Sequence, residues 1–194
     1  MLAILILAAG NSNRLGKAKQ LLPFQNTTLL GHTIQVAQST QLPIAVVTGA
    51  RQYEIENEIE KFKVDAVFNP FWQQGMSTSL QTGLHYLQTK FPNLQGLLVM
   101  VCDQPFINEI LLNELIEKYS INNKSVASSY NNIAGVPAII TKDFFSEIEQ
   151  LSGDKGARTI LNNNNFEMVS FSNGTIDIDT PEEYDKFVQT IRTN

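Results

Sequence analysis

The stretch Leu2-Ala3-Ile4-Leu5-Ile6-Leu7-Ala8-Ala9-Gly10-Asn11-Ser12-Asn13-Arg14-Leu15-Gly16-Lys17-Ala18-Lys19 begins apolar, turns small at Ala8 and ends basic. Ile4–Leu7 is apolar without alternation, which reads as a strand buried on both faces, the habit of parallel sheets. The apolar run from Leu2 to Ala9 is far shorter than the ~20 residues that cross a bilayer. It lacks the basic start and cleavage pattern of a secretion signal, and Gly10 breaks it, so the cytoplasm is the expected address and no membrane partner is expected. A small-residue loop at the carboxyl end of a first parallel strand is where open α/β sheets bind ligands. Ala8, Ala9 and Gly10 leave room for a flat or charged group against the backbone. Arg14 and Lys19 add fixed positive charge, and loop amides can face phosphate oxygens.

The same kind of strand recurs at Ala45–Thr48, Ala66–Phe68 and Leu97–Val101. Between these runs, apolar residues fall at helical spacing: Leu30, Ile34 and Ala37; Ile55, Ile59 and Phe62; Leu80, Leu84 and Leu87; Ile107, Leu111 and Leu115. Tyr184, Phe187, Val188 and Ile191 close the series. This alternation predicts an α/β fold with a mostly parallel central sheet covered by helices on both faces. The second half is less regular. Strands are expected at Ser125–Ser129, Val136–Ile140 and Met168–Phe171, helices near Asp143–Leu151 and Lys155–Leu161, and a loop at Asn162–Asn165. No linker or internal repeat breaks the chain, so residues 1–194 are expected to form one domain.

A chain of 194 residues with 43% apolar and 17% charged residues is ordinary for a globular protein with a full core. The formal net charge of −5 argues against a protein that grips a long nucleic acid by neutralising phosphates. A compact anion such as a nucleotide needs only a few converging donors and a metal ion. The single cysteine, Cys102, can form no internal disulfide, and no Cys/His spacing suggests zinc.

Two familiar phosphate loops fail on the residues. Five residues separate Gly10 from Gly16 and Ala18 follows Lys17, so there is no Walker A loop, and G-x-G-x-x-G is absent. What Leu7–Lys19 does resemble is the signature L-A-A-G-x-S-x-R-[M/L]-G-x-x-K of the MobA-like nucleotidyltransferases, extended by Leu21-Leu22-Pro23. The resemblance implies a Rossmann-like three-layer α/β/α sandwich of the nucleotide-diphospho-sugar transferase type. It also implies that Arg14 and Lys19 contact phosphates as catalytic groups, with Leu7, Ala8, Ala9, Gly10 and Ser12 around the nucleotide. The guanylyl-transferring branch usually reads L-A-G-G here, so Leu7-Ala8-Ala9-Gly10 tilts the base toward cytosine.

Asp103 follows the strand Leu97–Val101, in Cys102-Asp103-Gln104-Pro105. On the residues alone it could hold magnesium, which takes one or two carboxylates plus phosphate oxygens and water, or cap a helix at Ile107–Tyr119. The D-Q-P triplet matches the family's metal aspartate. Ile176-Asp177-Ile178-Asp179-Thr180-Pro181-Glu182-Glu183 matches the family's D-I-D-T-P-E run, which implies Asp179, and less directly Asp177, as further metal ligands. Alternation puts both on one side of an extended strand, and Thr180 or Asp179 would cap the last helix.

Asn69-Pro70-Phe71-Trp72-Gln73-Gln74-Gly75-Met76-Ser77-Thr78-Ser79-Leu80 matches a further family stretch, implying Asn69 and Ser79 at the nucleotide and Ser77 at the acceptor. Trp72 reads equally as a packed lid or a ligand contact. Gly153-Asp154-Lys155-Gly156-Ala157-Arg158 matches the G-D-x-G-A-R motif of the cytidylyl-transferring branch, which places Asp154 and Arg158 at the acceptor. The residues alone suit a capped helix with a basic face as well. Gly135 and Pro137 match a G-x-P of the acceptor site, although the preceding Tyr130-Asn131-Asn132-Ile133-Ala134 lacks the relatives' basic or glycine-rich approach. His32 and His85 have no partner at ligand spacing and read as packing or surface residues. Cys102 reads as a small apolar strand-end residue rather than a nucleophile.

The resemblance implies magnesium-dependent transfer of a cytidylyl group from CTP to the phosphate of the molybdopterin-type molybdenum cofactor, releasing pyrophosphate, with transient contact to a client molybdoenzyme. Guanylyl transfer from GTP to the same cofactor, transfer to a sugar or polyol phosphate, and a non-catalytic nucleotide-binding partner of a molybdoenzyme are the alternatives.

Overall fold

The computed structural model describes residues 1–12, 16–130, 133–163, 166–175, 178, 180 and 182–185. Its seven-stranded sheet is built from β1 (Leu2–Leu7), β4 (Ile44–Thr48), β5 (Asp65–Phe68), β6 (Gly96–Val101), β7 (Val126–Tyr130), β8 (Ile133–Thr141) and β9 (Glu167–Ser170), in the order β5-β4-β1-β6-β8-β7-β9. β8 runs antiparallel to both neighbours, β6 and β7, and every other pairing in this sheet is parallel. The two-residue strands β2 (Pro23–Phe24) and β3 (Thr27–Thr28) form a separate hairpin. This is the mostly parallel α/β architecture that the alternation predicts.

Side chains of successive strand residues point to opposite faces, and each face has its own core. Ile4, Ile6, Val46, Leu98 and Met100 pack under helices α1 (Leu29–Gln38), α2 (Gln52–Ile59) and α4 (Glu109–Asn122). Ala3, Leu5, Val47, Leu97 and Val99 pack under α3 (Met76–Lys90), α5 (Phe145–Glu149) and α6 (Ala157–Asn163). The result is a three-layer α/β/α sandwich. The chain steps outward from β1 to β4 and β5, then crosses back through α3 to β6 on the other side of β1. Right-handed crossovers in opposite directions put their helices on opposite faces, and the reversal opens a crevice at the carboxyl ends of the adjacent strands β1 and β6.

Several boundaries differ from the sequence expectation. α4 starts at Glu109, after the Asn108 side chain accepts from the Leu111 amide at 3.0 Å, so Ile107 lies before the helix. Residues 142–144 form a 3-10 turn ahead of a short α5. Asn162 and Asn163 belong to α6 rather than to a loop, while Asn164 and Asn165 lie outside the described residues. Residues 182–185 are helical, and the remainder of the expected last helix lies outside the described residues. No described helix is long and apolar enough to cross a membrane.

Candidate functional site

Leu7 and Val101 pair in register at the ends of β1 and β6, and a cleft of about 470 Å³ opens beyond them. One wall is the loop after β1, with Ala9, Gly10, Asn11 and Ser12. The floor carries Lys19, Cys102 and Asp103. The opposite wall carries Trp72, Gly75, Met76, Ser79 and Asp154. The cleft thus occupies the switch point of the sheet.

The β1 loop is held by a dense set of hydrogen bonds. The Ala8 amide donates to Val47 at 2.9 Å, and the Ala9 carbonyl accepts from Ala50 at 3.1 Å. Ala9 lies against Gly49, where a Cβ would sit 2.8 Å from the Ala9 Cβ and 2.6 Å from that of Trp72. Beneath the loop, buried Gln20 donates its Nε2 to the Ala8 carbonyl at 2.9 Å and to the Gly10 carbonyl at 2.8 Å. Its Oε1 accepts from the Ser12 hydroxyl at 3.3 Å, and Ser12 Oγ accepts from the Lys19 amide at 3.0 Å. Gln20 is a residue that sequence reading missed. A polar side chain between Lys19 and Leu21 gives no periodic signal of burial.

Lys19 Nζ meets Asp103 Oδ2 at 2.7 Å, joining residues 84 positions apart in the chain. The two side chains are 14% and 25% exposed, so the pair is shielded yet open to the cleft. Asp103 does not cap α4, since Asn108 does, which removes the capping reading of this carboxylate. The Asp103 carbonyl accepts from the Ile178 amide at 3.2 Å. Buried Ile178 packs with Leu22, Phe24 and Leu29, and its bond to Asp103 sets it beside the D-Q-P turn. Asp177 and Asp179 themselves, like Arg14, lie outside the described residues. Thr180 caps the residues after them: its hydroxyl accepts from the Glu183 amide at 3.2 Å, and its own amide donates to the Glu183 carboxylate at 2.8 Å. Gln104, also missed in sequence, is buried and donates to the Gly174 carbonyl at 3.2 Å, so both residues of the turn hold the returning chain.

Neighbouring groups are inert. Burial, followed by the adjacent Asp103 carboxylate, pushes the Cys102 thiol up to about 12, so it keeps its proton. His32 is half-buried, its ring edge-on to Phe24, with Nε2 3.2 Å from the Ile107 carbonyl. A carbonyl only accepts, so Nε2 carries the proton. Desolvation lowers its pKa. His85 is exposed on α3.

The remaining expected site residues divide. Leu7, Ala9, Gly10, Ser12, Lys19, Ser79, Asp103 and Asp154 line the cleft. Ala8 does not: its amide and carbonyl are spent on Val47 and Gln20, and it is buried. Asn69 is 0% exposed, with its amide on Thr78 and Ser79 and its Oδ1 accepting from the Phe71 amide, so it shapes the turn beneath the ligand wall instead of touching a ligand. Ser77 is buried, and its amide donates to the Gly153 carbonyl at 3.1 Å. Gly135 and Pro137 are buried in β8. Gly135 backs onto the Tyr130 ring and the Pro137 carbonyl takes the Ser128 hydroxyl at 2.7 Å, which leaves them no surface for an acceptor. Arg158 is exposed on α6 outside the cleft lining. Trp72 packs on the α3-side core and also lines the cleft.

The two loops of the far wall are docked backbone to backbone. Gly75 has φ +107, and a Cβ there would lie 2.3 Å from Gly153 backbone atoms. A Cβ at Gly156 would lie 2.4 Å from the Met76 sulfur. The Asn69–Leu80 and Gly153–Arg158 motifs, distant in sequence, therefore form one wall.

Known proteins agree with this arrangement. The chain is 27% identical over 184 residues to the molybdenum cofactor cytidylyltransferase of Escherichia coli K12, covering 93% of this chain and 92% of that protein. It is 26% identical over 193 residues to the purine catabolism protein PucB of Bacillus subtilis 168, covering 92% of each. The crystal structure of an Rv0371c homologue from Mycobacterium sp. strain JC1 superposes with a TM-score of 0.84 at 26% identity, over 100% of this chain and 98% of that one. The model of the MobA-like NTP transferase domain matches residues 4–169, which span both the β1 loop and the D-Q-P turn. With its cleft at the switch point and that match across most of its length, the chain belongs to the MobA-like nucleotidyltransferases.

Proposed function

We propose that the protein transfers a cytidylyl group from CTP to the phosphate of a molybdopterin-type molybdenum cofactor and releases pyrophosphate. The observation that carries this reading is the Lys19–Asp103 pair at 2.7 Å, set where the β1 loop meets the D-Q-P turn. The full-length likeness to a cytidylyltransferase supports the choice of base, as does Leu7-Ala8-Ala9-Gly10.

Asp103 offers hard oxygen donors to the cleft. Among the described residues no three His, Cys, Asp or Glu side chains gather into a metal cage. Magnesium needs none, because it keeps waters and substrate phosphates beside one or two carboxylates. Asp103 therefore fits it. Asp179 and Asp177, the neighbours of Ile178 in the sequence, are our candidates for a further carboxylate, on the match to the family's D-I-D-T-P-E run. Bound there, magnesium would offset the repulsion between two anionic substrates and polarise phosphoryl oxygens.

In the reaction, an ionised oxygen of the acceptor phosphate forms a bond to the α-phosphorus of CTP. The bridging α–β bond breaks, and its electron pair leaves with pyrophosphate. No proton has to be removed from the attacking oxygen, so no general base is assigned. Lys19 faces the charge gathering on the departing group, and Arg14 shares that task. The acceptor ring lies along Trp72 and Met76. The Asp154 carboxylate takes its N–H or O–H donors, since an acid would repel its phosphate.

A thermal-shift series with magnesium and CTP, GTP, UTP or ATP tests the base. Nucleotide at 100-fold over its dissociation constant stabilises a fold by about 2.7 kcal/mol, and the largest shift is expected with CTP. A larger shift with GTP would transfer the reading to guanylyl transfer. Pyrophosphate release should require added molybdopterin. Release with a sugar phosphate in its place overturns the acceptor, and no release with either overturns the activity.

A further inference from the structure

We infer that Gln20 is the positioning residue that turns the amide donors of the β1 loop toward the nucleotide. The inference rests on the loop being the nucleotide wall. Within one peptide unit the C=O and N–H point in opposite directions, because the unit is planar and trans. Gln20 Nε2 draws in the carbonyls of Ala8 and Gly10 at 2.9 and 2.8 Å. The N–H groups of those same two units belong to Ala9 and Asn11, and both of these residues line the cleft. The Ala9 amide donates to no acceptor among the described residues. Gly10 between them has nothing within 4 Å of where its Cβ would be, so the loop's outer side is open.

The other end of the same side chain fastens the charge. Gln20 Oε1 accepts from Ser12 Oγ, and Ser12 Oγ accepts from the Lys19 backbone amide. One buried carboxamide therefore orients the loop's donors and ties the loop to the backbone of the lysine that meets Asp103. Both of its donor hydrogens and its oxygen are used, so no residue that lacks an NH₂ group beside an oxygen can replace it. The ligand it serves is a hydrogen-bond acceptor, either a phosphate oxygen or an acceptor on the base edge.

Ligand titrations and steady-state kinetics on the full chain test this. Gln20→Met keeps the volume and loses the bonds. Gln20→Glu keeps the shape but offers only acceptors to two carbonyl oxygens. Titrations with CTP, cytidine and inorganic tripolyphosphate should show CTP binding weakened roughly 5–30-fold in Gln20→Met and further in Gln20→Glu. Weaker tripolyphosphate binding with unchanged cytidine binding assigns the donors to phosphate, and the converse assigns them to the base. In steady state the KM for nucleotide should rise while kcat stays within a few-fold. A residue that only fills space would rank the near-isosteric Gln20→Glu above Gln20→Met, and that order overturns the inference. So does unchanged CTP affinity in folded Gln20→Met. Should either variant fail to fold, Ser12→Ala removes the latch at the loop surface, and unchanged CTP affinity there overturns it equally. Wild-type protein that binds no nucleotide at all overturns the functional reading itself and is distinguishable from each of these.

Discussion

Lys19 and Asp103 hold one another in a partly shielded pair, so removing either deletes this 2.7 Å ion pair from the cleft. Both remain in contact with the cleft, where water can reach them, and the fold should survive the loss. Lys19→Ala and Asp103→Ala are each expected to lower kcat/KM by ~10²–10³ with cooperative unfolding retained, since deleting one preorganised charge partner typically costs that much. Initial-rate pyrophosphate release checks the first part and a thermal melt the second. The role of Asp103 could not be decided from sequence. Capping and metal binding use the same residue at the same place, and Asn108 taking the cap removes the first of the two. Cys102 was readable, because a lone thiol without a base has no route to a thiolate. Gln20 and Gln104 were not: their importance lies in which carbonyls they reach, and those carbonyls lie 12 and 70 residues away in the chain.

At the level of elements, the strands of the main sheet were located to within a few residues, and β1, β4 and β6 carry the unbroken apolar signature of burial on both faces. β5 corrects the expectation of a buried strand at Ala66–Phe68: it lies at the sheet edge, no residue of it is fully buried and Phe68 is 41% exposed. Boundaries failed where polar contacts decide them. Asn108 set the start of α4 two residues later than expected, and the two-residue hairpin β2–β3 is too brief to carry a pattern. The far wall was legible as two motifs but not as one object, since nothing in the sequence says that Gly75 and Gly153 touch. That contact yields a prediction. Gly75 sits at φ 107 and ψ 176, a region essentially reserved for glycine. Gly75→Ala should cost roughly 1–3 kcal/mol from backbone strain alone, visible as a lower denaturant midpoint. The Cβ would also push against Gly153, so KM for the acceptor should rise more than KM for the nucleotide.

For the molecule as a whole, two titrations bound the pH range of greatest stability. His32 has a pKa lowered from 6.5 by desolvation, so its neutral form favours the fold; that contribution is present above 6.5 and is lost as pH falls through the lower folded value. Cys102 is raised from 9.0 to about 12, so its contribution is present below 9.0 and disappears as pH climbs toward 12, when the unfolded thiol ionises and the folded one does not. Denaturant melts across this range should show stability falling at both ends. His32→Gln should flatten the acid limb and Cys102→Ala the alkaline limb, with nucleotidyl transfer retained in both. Separately, the Tyr184 hydroxyl donates to the Pro23 carbonyl at 2.8 Å and the Lys17 ammonium lies 5.4 Å from its ring centroid. Tyr184→Phe should therefore loosen the docking of the last described turn by about 0.5–1.5 kcal/mol, seen as faster amide exchange at Ile178.

The bond from the Ile178 amide to the Asp103 carbonyl has a bearing on how the chain is made. A partial chain that contains β1, β4, β5 and β6 but stops short of Ile178 carries the scaffold of the cleft, yet it lacks this closure over the D-Q-P turn. The cleft would therefore be completed only once Ile178 has been added, after the strands that frame it.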